Sequence, residues 1–112
     1  MRVVALCLLA VMIGCTSMLP PPIERDVEWL SARGSTVDLS DLGRGRAAYV
    51  ERCAGCHNLH SPASMLPEQW TQVVADMERD NEVKLDPRER DLILAYLTAS
   101  SARMRSQMAE AR

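Results

Sequence analysis

Apolar residues recur at helical spacing in four stretches of the chain, and no stretch alternates with the period of two that a half-buried strand requires. In the first, Ile23, Val27 and Leu30 fall at i, i+4 and i+7, with Glu24, Asp26 and Glu28 early, Arg33 late and Gly34 as a stop. Acids near the start and a base near the end suit the helix dipole, so the pattern predicts a helix over 23–33. The second stretch, about 41–53, carries Leu42, Gly45 and Tyr49 on one face, behind a cap at Ser40 or Asp41. Glycine inside a helix costs about 1 kcal/mol against alanine, so Gly45 is expected to serve a close approach of backbones. The third opens on Pro67, where a helix tolerates proline. It sets Trp70, Val73, Val74 and Met77 on one face and Glu68, Gln69, Gln72, Asp76, Glu78 and Arg79 on the other. The fourth begins Asp86-Pro87-Arg88-Glu89, a cap, a first-position proline and a Glu to close a capping box, and buries Leu92, Ile93, Tyr96 and Leu97. With no sheet and no internal repeat, the expected class is all-α.

The fourth stripe continues through Ser101 to Met104 and Met108. A helix reaching Glu110 would run about 36 Å and overhang a compact domain of about 60 residues. Residues 101–112 are therefore a helical or frayed tail: it frays, or it packs on a partner or on the segment 23–33. Arg103, Arg105 and Arg112 against Glu110 also suit an anionic lipid surface.

One apolar stretch is of another kind. Val3 to Ile13 is unbroken, follows Arg2, and has 11 residues. A membrane-spanning helix needs about 20, so this run has the length of a signal-peptide core. It ends in Met12-Ile13-Gly14-Cys15, which resembles the lipobox of bacterial lipoproteins. The resemblance implies a signal peptide over 1–14, a lipid on Cys15 that binds the membrane, and, from Thr16, sorting to the outer membrane of a Gram-negative periplasm. Residues 15–40 become a lipid-anchored spacer, extended at Pro20-Pro21-Pro22 and holding one short helix. Residues 41–100 are the domain.

The 112 residues allow a single domain, and a net charge of −2 argues against nucleic-acid binding. Four aromatics and no Phe are thin for a core, so a group other than side chains is expected to help fill it. The cysteines identify that group. Cys7 leaves with the signal and Cys15 takes the lipid. Cys53 and Cys56 remain, with His57 next to them, in the c-type haem attachment pattern. Two thiols at this spacing add to the two vinyl groups on one porphyrin edge, and the following imidazole becomes the proximal ligand. A structural zinc site needs four ligands, and only His60 is left to complete one. A thioredoxin-like pair needs a βαβ context, which is absent.

Two stretches resemble class I cytochrome c. In Gly45-Arg-Ala-Ala-Tyr-Val-Glu-Arg-Cys-Ala-Gly-Cys-His57, the glycine eight residues and the aromatic four residues before the first Cys match the family's N-terminal helix. Glu89-Arg-Asp-Leu-Ile-Leu-Ala-Tyr-Leu97 is similar to its C-terminal helix. The resemblance implies a small helical domain wrapped around one covalently attached haem c, with the two helices crossing at Gly45. Only 29 residues separate His57 from Pro87, as in compact monohaem bacterial members with a Trp-x-x-x-x-x-x-Met helix.

The distal iron ligand remains open at this level. His60 fails on reach, since three extended residues span about 10 Å and the ligand must sit on the far face. It reads as an exposed loop residue. Met77 lies on the apolar face with Trp70, Met65 is also within reach, and an exchangeable sixth position is the third possibility. Tyr49, Trp70, Val73 and Val74 are expected to pack on the ring, and a carbonyl beside Pro62 to accept from the His57 ring N–H. No acid–base pair, nucleophile or second metal cluster is visible, so the expected function is electron transfer with protein redox partners rather than enzymic catalysis. The alternative is a CO- or NO-binding sensor with an open sixth position. Arg44, Arg46 and Arg52 precede the haem edge, either as a docking patch for an acidic partner or as a solvated face.

Overall fold

A computed structural model of the chain describes residues 19–53 and 59–112. The signal segment 1–14 and Cys15 lie outside the described residues, as do Cys56 and His57. The described chain forms α1 (Glu24–Ser31), α2 (Leu39–Cys53), α3 (Trp70–Asp80) and α4 (Pro87–Glu110), with 3-10 turns at Pro62–Ser64 and Pro67–Gln69. The described residues contain no strand and no helix long and apolar enough to cross a membrane.

The helix ends follow local chemistry. After α1 the backbone turns at Gly34 with φ +84°, a conformation glycine adopts without a Cβ clash. The cap of α2 is Asp38, ahead of the expected Ser40 or Asp41. Asp38 Oδ1 accepts from the Asp41 N–H at 2.7 Å and Asp41 Oδ2 from the Asp38 N–H at 3.1 Å, a reciprocal box built from two aspartates. Pro67 opens a 3-10 turn that runs into α3. Asp86 caps α4 by accepting from the Glu89 N–H at 2.8 Å.

The long α4 is the spine on which α1, α2, α3 and both 3-10 turns pack. At the α2–α4 crossing, Gly45 faces the α4 backbone. A Cβ added there would stand 2.6 Å from the Leu92 carbonyl carbon and 3.2 Å from Tyr96 Cβ. Tyr49, Trp70, Val74, Ile93, Tyr96 and Leu97 form one buried cluster, so three of the four aromatics gather at a single point. Tyr49 and Trp70 meet edge to face at 6.2 Å. Leu30 and Leu42 pack with Ala95 and Ala99 in a second cluster, which seats α1.

The tail is helical to Glu110, and its first two turns are bonded to the body. The Ser101 hydroxyl donates to the Met65 carbonyl at 2.6 Å, and Arg105 Nε to the same oxygen at 3.3 Å. Arg103 holds Asp26 of α1 through Nε at 2.8 Å and Nη2 at 3.2 Å, in an ion pair whose side chains are 9 % and 1 % exposed. Of the alternatives for the tail, packing on the segment 23–33 is the one found through Arg103. Met104 is half-buried, whereas Met108 is 55 % exposed. The expected spacer is docked as well: the carbonyls of Leu19, Pro20 and Pro21 accept from Arg46, Tyr96 and Arg103.

Candidate functional site

Cys53 is the last residue of α2 and packs, half-buried, against the Tyr49–Trp70–Tyr96 cluster. The attachment motif continues from it into residues 54–58, so Cys56 and His57 are placed by sequence alone. The described chain resumes at Leu59, which packs on the same cluster, as do Met65, Val73 and Leu85.

Two adjacent residues of α4 gather the other helix ends here. Glu89 accepts from Arg52 Nε at 2.9 Å, which binds the end of α2. Arg90 grips Glu78 with Nε at 2.6 Å and Nη2 at 2.7 Å, which binds the end of α3. Arg90 holds the Glu78 carboxyl below the usual carboxylate range, and Glu89 raises the Arg52 guanidinium further above its ordinary value. Solvent screens such exposed pairs, so their effect is to set geometry more than stability. Met77, beside Glu78 and one turn after Val73, is half-buried at this end. Met65 packs on the cluster itself, and its carbonyl is bonded to Ser101, which lies about 18 Å along α4 from Glu89.

The loop after the motif is fastened by its carbonyls. The Tyr49 hydroxyl donates to His60 O at 2.8 Å, the Ser64 hydroxyl to Ser61 O at 2.7 Å, and Trp70 Nε1 to Pro62 O at 2.9 Å. All three thus already have a donor within the chain, among them the carbonyls next to Pro62 considered for the His57 ring. The His60 side chain is exposed, as expected of a loop residue. Burial drives the Tyr49 phenol far above its ordinary pKa, so it is a neutral donor at every physiological pH. Tyr49, Trp70 and Val74 are enclosed by protein, while Val73 keeps an open side.

Each of the three arginines of α2 has a partner within the chain. Arg44 pairs with Asp41 at 3.1 Å, Arg46 donates to Leu19 O, and Arg52 is held by Glu89. Sequence reasoning missed the bonds of Arg46 and Arg52 and the Arg90–Glu78 bridge, because partners 12 to 37 residues apart leave no spacing signal. Asp26 did carry one, as a carboxylate four residues from Leu30 on the buried side of α1, a place that demands a cation.

A family model described as dihaem cytochrome c matches residues 49–112. No curated protein and no solved structure matches the chain. The matched span takes in Tyr49, the Cys53–His57 motif, Met65, Met77 and the whole of α4.

Proposed function

The chain belongs to the dihaem cytochrome c family, and from that membership we propose that it is a one-electron carrier with its haem at the end of the bundle where α2, α3 and α4 meet. Cys53 and Cys56 would hold the group covalently, His57 from one side and Met77 from the other. When bound, it supplies reversible one-electron exchange at an iron. The family's name specifies two haems, but these 112 residues contain one Cys-x-x-Cys-His run. Cys7 and Cys15 have no such neighbours, and His60 is the only other histidine. We therefore assign one haem to this sequence.

The observation that carries the reading is the convergence of helix ends on Glu89 and Arg90. It ties the α2 terminus that bears Cys53 and the α3 terminus that bears Met77 to adjacent residues of α4, while the Met65 carbonyl is bonded to Ser101, further along that helix. Leu59, Val73 and Leu85 supply an apolar wall that excludes water, which favours the less charged, reduced state and raises the potential. Tyr49 and Trp70 steady that wall from behind by fastening the loop at residues 60–62. The lipobox-like Met12-Ile13-Gly14-Cys15 supports export and a lipid anchor at Cys15, which puts the carrier in the periplasm at a membrane surface, with redox proteins as partners.

The test is spectroscopic. In the ferric protein, Met77→Ala is expected to abolish the weak long-wavelength band of a thioether-bound haem, admit CO to the reduced form and lower the midpoint potential. Met65→Ala should leave all three as they are. The reverse pattern transfers the ligand to Met65. Tight CO binding by the wild type, with no thioether band, replaces the electron-transfer reading with the ligand-sensing one.

A further inference from the structure

The segment that joins the helical body to the N-terminal region is a docked strap. The Leu19 carbonyl accepts from Nε and Nη2 of Arg46 at 3.1 and 2.9 Å, the Pro20 carbonyl from the Tyr96 hydroxyl at 2.8 Å, and the Pro21 carbonyl from Arg103 Nη2 at 3.2 Å. The Leu19 side chain packs against the Tyr49–Tyr96 cluster, and the Ile23 N–H is taken by Asp26 at 2.9 Å. Three successive prolines keep such a segment extended and leave it with carbonyl acceptors and no donors of their own. Arg46, Tyr96 and Arg103 supply the donors that match.

Cys15 precedes Leu19 by four residues. Four peptide links span at most about 14 Å when fully extended. Cys53 lies seven residues along α2 from Arg46, or about 10 Å. We propose that the strap converts the lipid anchor into a short, fixed mount. The α2–α4 face that carries Leu19 stands against the lipid headgroups, and the haem-attachment end is held within about 30 Å of them. This rests on the lipidated Cys15 of the proposed function. An undocked strap would put eight links between the lipid and Ile23, enough for the domain to turn over on its tether. The docked strap leaves only residues 16–18 between lipid and body, so one face stays toward the bilayer.

The experiment uses the full-length holoprotein in phosphatidylethanolamine–phosphatidylglycerol vesicles with a headgroup-attached fluorophore, the haem acting as energy acceptor. Strong quenching is expected for the wild type. Inserting twelve Gly/Ser residues between Met18 and Leu19 adds a coil of about 20 Å and should cut the quenching at least twofold. The Arg46→Gln, Tyr96→Phe double variant frees the strap with little change in side-chain volume and should give a smaller fall in the same direction. Quenching that ignores the insertion, or a double variant equal to the wild type, overturns the mount. The mass of the mature N-terminus reports the anchor separately. An unmodified Cys15 overturns the anchor and the mount together, whereas a lipidated Cys15 with insertion-insensitive quenching overturns the mount alone.

Discussion

Two glycines of α2, two residues apart, should respond to alanine in opposite directions. A Cβ at Gly45 meets the Leu92 backbone, whereas one at Gly43 meets nothing within 4 Å. Gly45→Ala must push α2 off α4 and is expected to cost about 1–3 kcal/mol, the usual range for overpacking. Gly43→Ala should gain about 0.5–1 kcal/mol from helix propensity alone. Thermal melts of the two variants check the pair. Gly45 was legible in the sequence because a helix-interior glycine needs a reason. The reason for Asp26 was only half legible, since its position called for a cation but could not name Arg103, 77 residues away. Asp26→Asn strands a nearly buried guanidinium and should cost about 3–5 kcal/mol. Tyr49 predicts a pH effect. Burial raises its folded-state pKa above the ordinary 10.0, so the stability tied to the neutral phenol is complete below about pH 10 and is lost as pH rises toward the folded value. Denaturant melts at pH 8 and pH 11 should show a larger alkaline loss for the wild type than for Tyr49→Phe. Tyr96, raised in the same way, supplies part of the loss that remains.

At the scale of elements, the apolar periodicity located all four helices, because α1, α2 and α3 each bury one face at period 3.6 and the stripe of Leu92, Ile93, Tyr96 and Leu97 lies within the wider buried surface of α4. The ends were less legible. Asp38 does not stand out as a cap in the sequence, because its partner at the third helical position is Asp41, itself a residue that caps helices. Glu89 sits where a capping-box glutamate belongs, but its carboxylate reaches across to Arg52. The Asp86 cap stands without it, and Asp86→Ala is expected to cost about 1 kcal/mol by chemical denaturation. The convergence of helix ends that defines the candidate site was not legible at all. It depends on Glu89 and Arg90 being neighbours on α4 while pointing to different helices, a fact of tertiary placement.

For the whole molecule, the apolar pattern favoured a body that ends near residue 100, yet the polar contacts of Ser101, Arg103 and Arg105 bind the next two turns of α4 to Met65 and Asp26. Truncation after Ser100 removes all three and leaves Asp26 buried without its cation. The melting temperature should fall by more than about 10 °C, given about 3–5 kcal/mol for an orphaned buried charge. Truncation after Gln107 removes only exposed residues and should leave the melt nearly unchanged. The periodicity of Met104 and Met108 could not reveal this, because what secures the tail is arginine chemistry on its other sides.

The bonds of Tyr96 and Arg103 to Pro20, Pro21 and Asp26 close loops of 76 to 82 residues, most of the chain's length. Contacts so distant in sequence raise the contact order of a helical protein that would otherwise fold through local pairings, and loop closure must come before they contribute. Docking of the N-terminal segment therefore depends on α4 being in place and becomes a late event of folding. Trp29 on α1 provides a probe for this order. In a Trp70→Phe background, its fluorescence change on refolding should lag behind helix formation followed by circular dichroism, and coincident traces would place the docking of α1 within the first folding step.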